Sequence, residues 1–187
     1  HQLAQHHAFD QMIALASISS GWASIDLRET GSGLKRLEQA LADYRSLGQR
    51  GWLPHMLCVC ADARIRAADP ARALALLEEA LEMSEQTKQG ILRPEMLRLQ
   101  AITALSLGRV DAAAARTGLE AAIALAHEQS AMALEFRAVC SLARLLQGIG
   151  ERPRARDLVR PAYDAFSEGH DTRDLREGRE LLDELSA

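Results

Sequence analysis

Cysteine, histidine and carboxylate side chains are where this sequence would carry chemistry, and their spacing speaks against each kind of site in turn. Cys58 and Cys60 stand two apart, and on a helix that separation turns their side chains about 200° from each other. The pair therefore cannot chelate one metal ion, and ordinary packing is the expected role of all three cysteines. With Cys140 they form neither an even disulfide set nor a Cys-x-x-Cys pair, which points to a reducing compartment and a cytoplasmic chain. His1, His6 and His7 gather at the start, but no cysteine or carboxylate set accompanies them at ligand spacing. They are expected to be exposed, and no metal site is assigned. Carboxylate pairs such as Glu78-Glu79 read as solvated helix faces, because acid and base catalysis needs a cleft and a shifted pKa. The sequence contains no Gly-x-x-x-x-Gly-Lys-Ser/Thr phosphate cradle and no Gly-x-Ser-x-Gly elbow, so neither a cofactor nor a catalytic residue is expected.

The elements that would position any site are helices. Aromatics make up 4% of the 187 residues and proline occupies five positions, while alanine and leucine dominate, a mix that favours helix over strand. A net charge of -4 supplies no basic footprint for direct nucleic-acid binding. No apolar run reaches the roughly 18 to 20 residues of a membrane span, and no basic-then-apolar leader opens the chain. The sequence begins at His1 and enters helical sequence at once, so it is expected to be a piece of a longer polypeptide.

A repeat organises the helices. Leu37-Glu38-Gln39-Ala40-Leu41, Leu77-Glu78-Glu79-Ala80-Leu81, Leu119-Glu120-Ala121-Ala122-Ile123 and Val159-Arg160-Pro161-Ala162-Tyr163 share an apolar-x-x-Ala-apolar pattern, with alanines 40, 42 and 40 residues apart. Seven residues before each alanine stands a small residue (Gly33, Ala73, Ala115, Ala155), and three before it a larger apolar one. Spacings of 3, 4 and 7 keep these on one helical face, where small residues admit a close neighbour and bulky ones fill the gap. Turn signals at Thr30-Gly31-Ser32-Gly33, Asp69-Pro70, Gly108-Arg109 and Gly148-Ile149-Gly150 divide each unit. Helices are expected over 4–28, 33–47, 52–67, 70–88, 92–107, 110–128, 131–148, 151–168 and 173–185. The fold class is then all-α: a right-handed α-solenoid of four tetratricopeptide-like hairpins plus a C-terminal capping helix, over repeats 4–48, 51–90, 91–129 and 130–169 and a cap at 172–186. Pro161 inside the eighth helix removes the bond to the Asp157 carbonyl, so a kink is expected. The 42-residue spacing adds two residues between Gly108 and Ala122, and the alanine run 112–115 leaves their place, and the register of 112–118, open.

Laid out in this way, the chain resembles the C-terminal helical repeat region of large bacterial predicted ATPases, including adenylate-cyclase-type signalling proteins and ATP-dependent transcription activators. The similarity is carried by Glu135-Phe136-Arg137-Ala138, Ser141-Leu142-Ala143-Arg144-Leu145, Ala155-Arg156-Asp157-Leu158 and the run from Phe166 to Leu175. Upstream, Gly21-Trp22-Ala23, Gly33-Leu34, Glu95-x-x-Arg98-Leu99 and Gly108-Arg109 extend it across nearly the whole chain. His170 departs from the pattern, which has an aromatic there, as do two extra residues near Thr117-Gly118. The resemblance implies that nucleotide chemistry lies in upstream domains, and that the repeats bind partners, sense ligands or hold the assembly inactive.

In tetratricopeptide stacks the first helix of each hairpin lines the concave side, which places Trp22, Asp26, His55, Asp62, Arg66, Glu95, Arg98, Arg137 and Arg144 toward one groove. Arginines there could grip carboxylates of an acidic peptide or ligand. Glu95, Arg98, Arg137 and Arg144 could equally form salt bridges between hairpins, and Trp22 could serve as packing area. The expected partner is a protein or peptide, including other domains of the same polypeptide, and a homodimer stays open. The competing reading is an inducer-sensing superhelix that releases an upstream ATPase when a small molecule enters.

Overall fold

The computed structural model describes residues 2–27, 29–48 and 50–186, and for residues 2–8 and 26 the backbone alone. Among the described residues the chain forms nine helices and no strand: α1 (Gln2–Asp26), α2 (Thr30–Ser46), α3 (Leu53–Arg66), α4 (Pro70–Thr87), α5 (Arg93–Ser106), α6 (Ala112–Glu128), α7 (Met132–Gly148), α8 (Arg152–Asp164) and α9 (Arg173–Ser186). Each odd helix packs on the even helix after it, on the even helix before it, and on the next odd helix. No helix packs on one more than two places along the chain. This is an open stack of helical hairpins, not a closed bundle.

The stack follows from the repeat. Ala73, Ala115 and Ala155 are buried, as are Leu77, Leu119 and Val159 four residues on. In the first hairpin the small position is Gly33, and a Cβ there would lie 2.7 Å from the Gly21 carbonyl oxygen. The same crossing denies Gly21 a side chain, since its Cβ would meet the Gly33 oxygen at 3.0 Å. Gly33, expected both at the turn and at the small position, serves as the contact residue, and α2 begins three residues before the expected start, at Thr30. Burying these faces at roughly 25 cal/mol per Å² of apolar area joins the two helices of a hairpin, and the odd helices pack in turn on the hairpin before them. Polar ties add to it: the Arg45 guanidinium on α2 meets Glu79 on α4 at 2.6 Å, Arg64 on α3 reaches back to Glu38 on α2, and the Trp52 amide donates to the Tyr44 hydroxyl at 3.2 Å.

The turns locate the two extra residues of the third unit. Hairpin turns close with a backbone pair from Ala68 and Asp69, Gly108 and Arg109, and Gly150 and Glu151 to carbonyls three and five residues back. In the second and fourth units the residue after the left-handed one, Asp69 or Glu151, is also the N-cap of the next helix. In the third, that role passes from Arg109 to Asp111, whose carboxylate accepts from the Ala114 amide at 2.8 Å. The insertion is thus in the α5–α6 turn, not near Thr117-Gly118, and α6 keeps the register of its counterparts. Gly118 has a different reason: its Cβ would come 3.1 Å from the Ala101 methyl. Positions 40 apart across the second and third units, and 42 apart across the third and fourth, are therefore equivalent on the odd helices.

Helix α8 runs through Pro161 but stops at Asp164, four residues short of expectation. The segment after it turns back so that Phe166 meets Phe136 edge-on with ring centroids 5.3 Å apart. His170, where the resemblance suggests an aromatic, lies 5.5 Å from the Tyr163 ring. Helix α9 then closes this end with Leu175, Gly178, Leu181, Leu182 and Leu185 inward. Gly178 allows the close seat, because a Cβ there would fall 2.9 Å from Phe136 Cε1.

Ala68 holds a left-handed φ of 58°, where the equivalent turns place Gly108 and Gly150. An L side chain is strained there, so Ala68→Gly is expected to raise unfolding free energy by about 1 kcal/mol, read as a higher midpoint in urea unfolding.

Candidate functional site

The equivalences set out rows of side chains along the odd helices, which form one wall of the stack. One row runs His55, Glu95, Arg137; a second Cys58, Arg98, Cys140; a third Trp22, Asp62, Ile102, Arg144. Trp22, Asp62, Arg66, Glu95, Arg98, Arg137 and Arg144 come together around a groove of about 700 Å³, with Leu99, Ile102, Phe136, Cys140 and Phe166 as its apolar lining. Segment 166–177, from the end of the fourth hairpin into α9, closes one end. Of the remaining two expected groove residues, the Asp26 side chain lies outside the described residues, and His55 sits off the groove, edge-on to Trp52 at 5.7 Å. Burial lowers the His55 pKa from 6.5. A folded pKa below the unfolded one means that stability is lost as pH falls below that value.

The groove arginines are engaged with carboxylates of the chain itself. Arg98 makes a two-pronged pair with Glu95 at 2.7 and 2.8 Å and donates to the Ser141 hydroxyl at 3.1 Å. Both members are largely buried, with side chains 14% and 10% exposed. Desolvation, the largest single effect, works against the Arg98 charge, but the Glu95 hydrogen bonds together with the negative charges of Glu95 and Asp62 hold the pKa above its usual value. Arg137 lies 3.7 Å from Glu95 and donates to Asp174 on the cap at 2.6 Å. Arg144 is half exposed, and its nearest carboxylate oxygen, on Glu177, is 3.9 Å away. At the far rim Asp62 accepts from Trp22 Nε1 at 2.7 Å and Arg66 Nε at 2.8 Å, while the Arg66 guanidinium lies over the Trp22 ring at 5.0 Å.

The salt-bridge reading of Glu95, Arg98 and Arg137 is thus what the geometry displays, and it crosses hairpins through Ser141 and Asp174. Of the groove arginines, Arg144 has the loosest partner. Lining guanidiniums (Arg66, Arg98, Arg137, Arg144, Arg173) are matched in number by carboxylates (Asp62, Glu95, Glu168, Asp174, Glu177), so the wall is charge-balanced, not basic. Sequence reasoning missed the aromatic end, Phe136 with Phe166, and the cap carboxylates. The former were legible only as core residues, and the latter reach the groove through the docking of α9.

The cysteines are free and buried. Burial raises the Cys58 thiol pKa, with Glu95 and Asp62 on the groove side adding to it. Cys60 is pushed up to about 12, again by burial, beside Arg64, Arg45 and Glu38, so the two thiols face opposite sides of α3. Cys140 is pushed up to about 11 by burial. Among the described residues no three His, Cys, Asp or Glu side chains converge as metal ligands, and no helix is long and apolar enough to cross a membrane.

No family model matches the chain. Among solved structures it is similar to nearly identical TPR-like repeats of a kinesin light chain-like protein from Podosopora anserina, with a TM-score of 0.67 and 16% identity over 94% of this chain and 86% of that one. A crystal structure of a variant of those repeats gives 0.67 and 15% over 95% and 94%. By sequence the chain is 32% identical over 143 residues to an uncharacterised protein of Rhizobium meliloti (strain 1021), a match covering 76% of this chain and 14% of that protein. The chain thus spans about a seventh of that relative's length. It is an all-α solenoid of tetratricopeptide-like hairpins.

Two outcomes follow. Arg98→Ala leaves Glu95 buried with its main partner gone and should cost about 3 kcal/mol of stability, whereas Arg144→Ala should change it by less than about 0.5 kcal/mol; paired urea titrations separate the two. At pH 8 a chromogenic disulfide reagent should titrate the native thiols at least about a hundredfold more slowly than those of the unfolded chain, given the raised pKa values and burial.

Proposed function

We propose that the chain is a protein-interaction and regulatory module whose groove receives a peptide or a neighbouring domain of its parent protein. The observation that carries this reading is the continuity of the groove: every hairpin contributes a side chain to one wall, so an extended segment laid along it would touch all four. The balanced lining favours an occupant of mixed charge with apolar side chains for Ile102, Phe136 and Phe166 over a purely acidic one. A context within a larger signalling or transcription-regulating ATPase draws on the family resemblance, and the short share of the Rhizobium meliloti relative that the chain matches agrees with a module of a longer protein.

A small-molecule reading draws on one further feature. The aromatic end lies inside a volume of about 700 Å³, within the roughly 300–1,000 Å³ typical of ligand pockets. An inducer lodged there would bear on Arg137 and Asp174, and so on the seat of the cap.

The test is a photo-crosslinking amino acid placed at Ala133 on the groove wall, or at Glu78 on α4, in the intact polypeptide. The groove position should capture a segment that the other does not, and Arg144→Glu should weaken that capture about tenfold with an unchanged melting temperature. Equal capture from both positions would remove the groove assignment. A metabolite that raises the melting temperature and blocks capture would favour the inducer reading.

A further inference from the structure

The two ends of the stack are finished differently. At the C-terminal end α9 turns its leucines inward and presents Arg176, Arg179, Glu180, Asp183 and Glu184 to solvent. At the other end the outer face of α1 carries Phe9, Met12 and Ile13, which are 70%, 64% and 60% exposed, followed along the same face by exposed Ala16, Ser20 and Ala23. Spacings of three and four keep this row of bulky apolar residues, leading into small ones, on one helical face.

The repeat shows what that face does elsewhere. Ala16 is equivalent to Met56 on α3, Met96 on α5 and Ala138 on α7, whose exposures are 0%, 1% and 0%. Ala23 is equivalent to Ala63 and Thr103, both buried, and to half-buried Leu145, and Ser20 to buried Cys60 and Leu142 and half-buried Gln100. On α3 this face lies against the hairpin before it: α3 packs on α2, Arg64 bonds Glu38 there, and Cys60 feels Arg45 and Glu38 of the same helix. Among the described residues, the outer face of α1 is thus a copy of an internal interface without its second half. Arg36 of α2 reaches across toward it and donates to the Ser20 hydroxyl at 2.8 Å, covering only part of it.

We propose that the outer face of α1 is a docking surface for a further helix hairpin of this same repeat type, seated through its second helix as α2, α4 and α6 seat α3, α5 and α7. Two arguments select this occupant over a second copy of the chain. The surface is equivalent to positions that are mostly buried on α3, α5 and α7, each of which packs on the second helix of the hairpin before it, and the polar outer face of α9 offers no such helix for head-to-tail association. The short share of the sequence relative that this chain matches leaves ample length in that protein for more hairpins. The inference is independent of what the groove holds.

The experiment introduces a single thiol by Ala16→Cys or, separately, Ala23→Cys into the intact polypeptide that carries these residues, with Glu78→Cys as an exposed control. Maleimide labelling rates are then compared, with circular dichroism confirming the fold of each variant. Labelling at both α1 positions should be at least about tenfold slower than at the control and independent of protein concentration, as expected for a face that opens only by local unfolding. Labelling at the control rate would overturn the proposal. So would protection that appears only as sedimentation shows dimers forming, since the occupant would then be a second copy. Two positions are used so that a fault in one variant leaves the other to decide.

Discussion

Close approach between helices is the constraint on which this structure depends. A two-helix hairpin rich in alanine and leucine cannot bury both of its faces, and it becomes stable only when another hairpin comes near enough to exclude water. Within a hairpin, the approach of the two helices is set by what the small positions lack. Gly21 and Gly33 cross with each other's carbonyls near the place of a missing Cβ, the buried alanines 73, 115 and 155 repeat the arrangement with one methyl more, and Gly178 seats the cap over the edge of Phe136. The bulky residues between these points fill a gap whose width the small ones define.

The same stacking creates the groove and fixes its character. Equivalent positions on successive odd helices fall into rows, so a substitution at one repeat places unlike side chains side by side. The row of His55, Glu95 and Arg137 sets a carboxylate beside a guanidinium, and the next row adds Arg98 between two cysteines. The buried Glu95 carboxylate has its main partner in Arg98, and Arg98 in turn ties the third hairpin to the fourth through Ser141. Ion pairing here serves assembly first, and whatever enters the groove meets side chains already committed to one another.

How much of this could be read from the residues differs by level. The hairpin order, the small and bulky positions and the row of groove residues follow from a period near forty, because helical phase is a geometric consequence of spacing. The place of the two extra residues was not legible, since Ala112 to Ala115 looks alike in several registers; the capping oxygen of Asp111 decides it. Gly33 carries both a turn signal and the small contact position in the sequence, and the opposing Gly21 shows it to be the contact, with the helix start moved back to Thr30. The pairing of Arg137 with Asp174 depends on how a helix more than thirty residues later docks, which no local pattern encodes.

The balance of charge along the groove has a kinetic consequence. Where each guanidinium has a carboxylate of the same chain for a neighbour, the fields cancel within a few ångströms, and little potential extends past the Debye length of about 8 Å at physiological ionic strength. An arriving molecule would be neither steered nor repelled from afar. Its capture would proceed at the unassisted rate of about 10⁵–10⁶ M⁻¹ s⁻¹, nearly indifferent to added salt, with selectivity residing in how slowly a well-fitted occupant leaves.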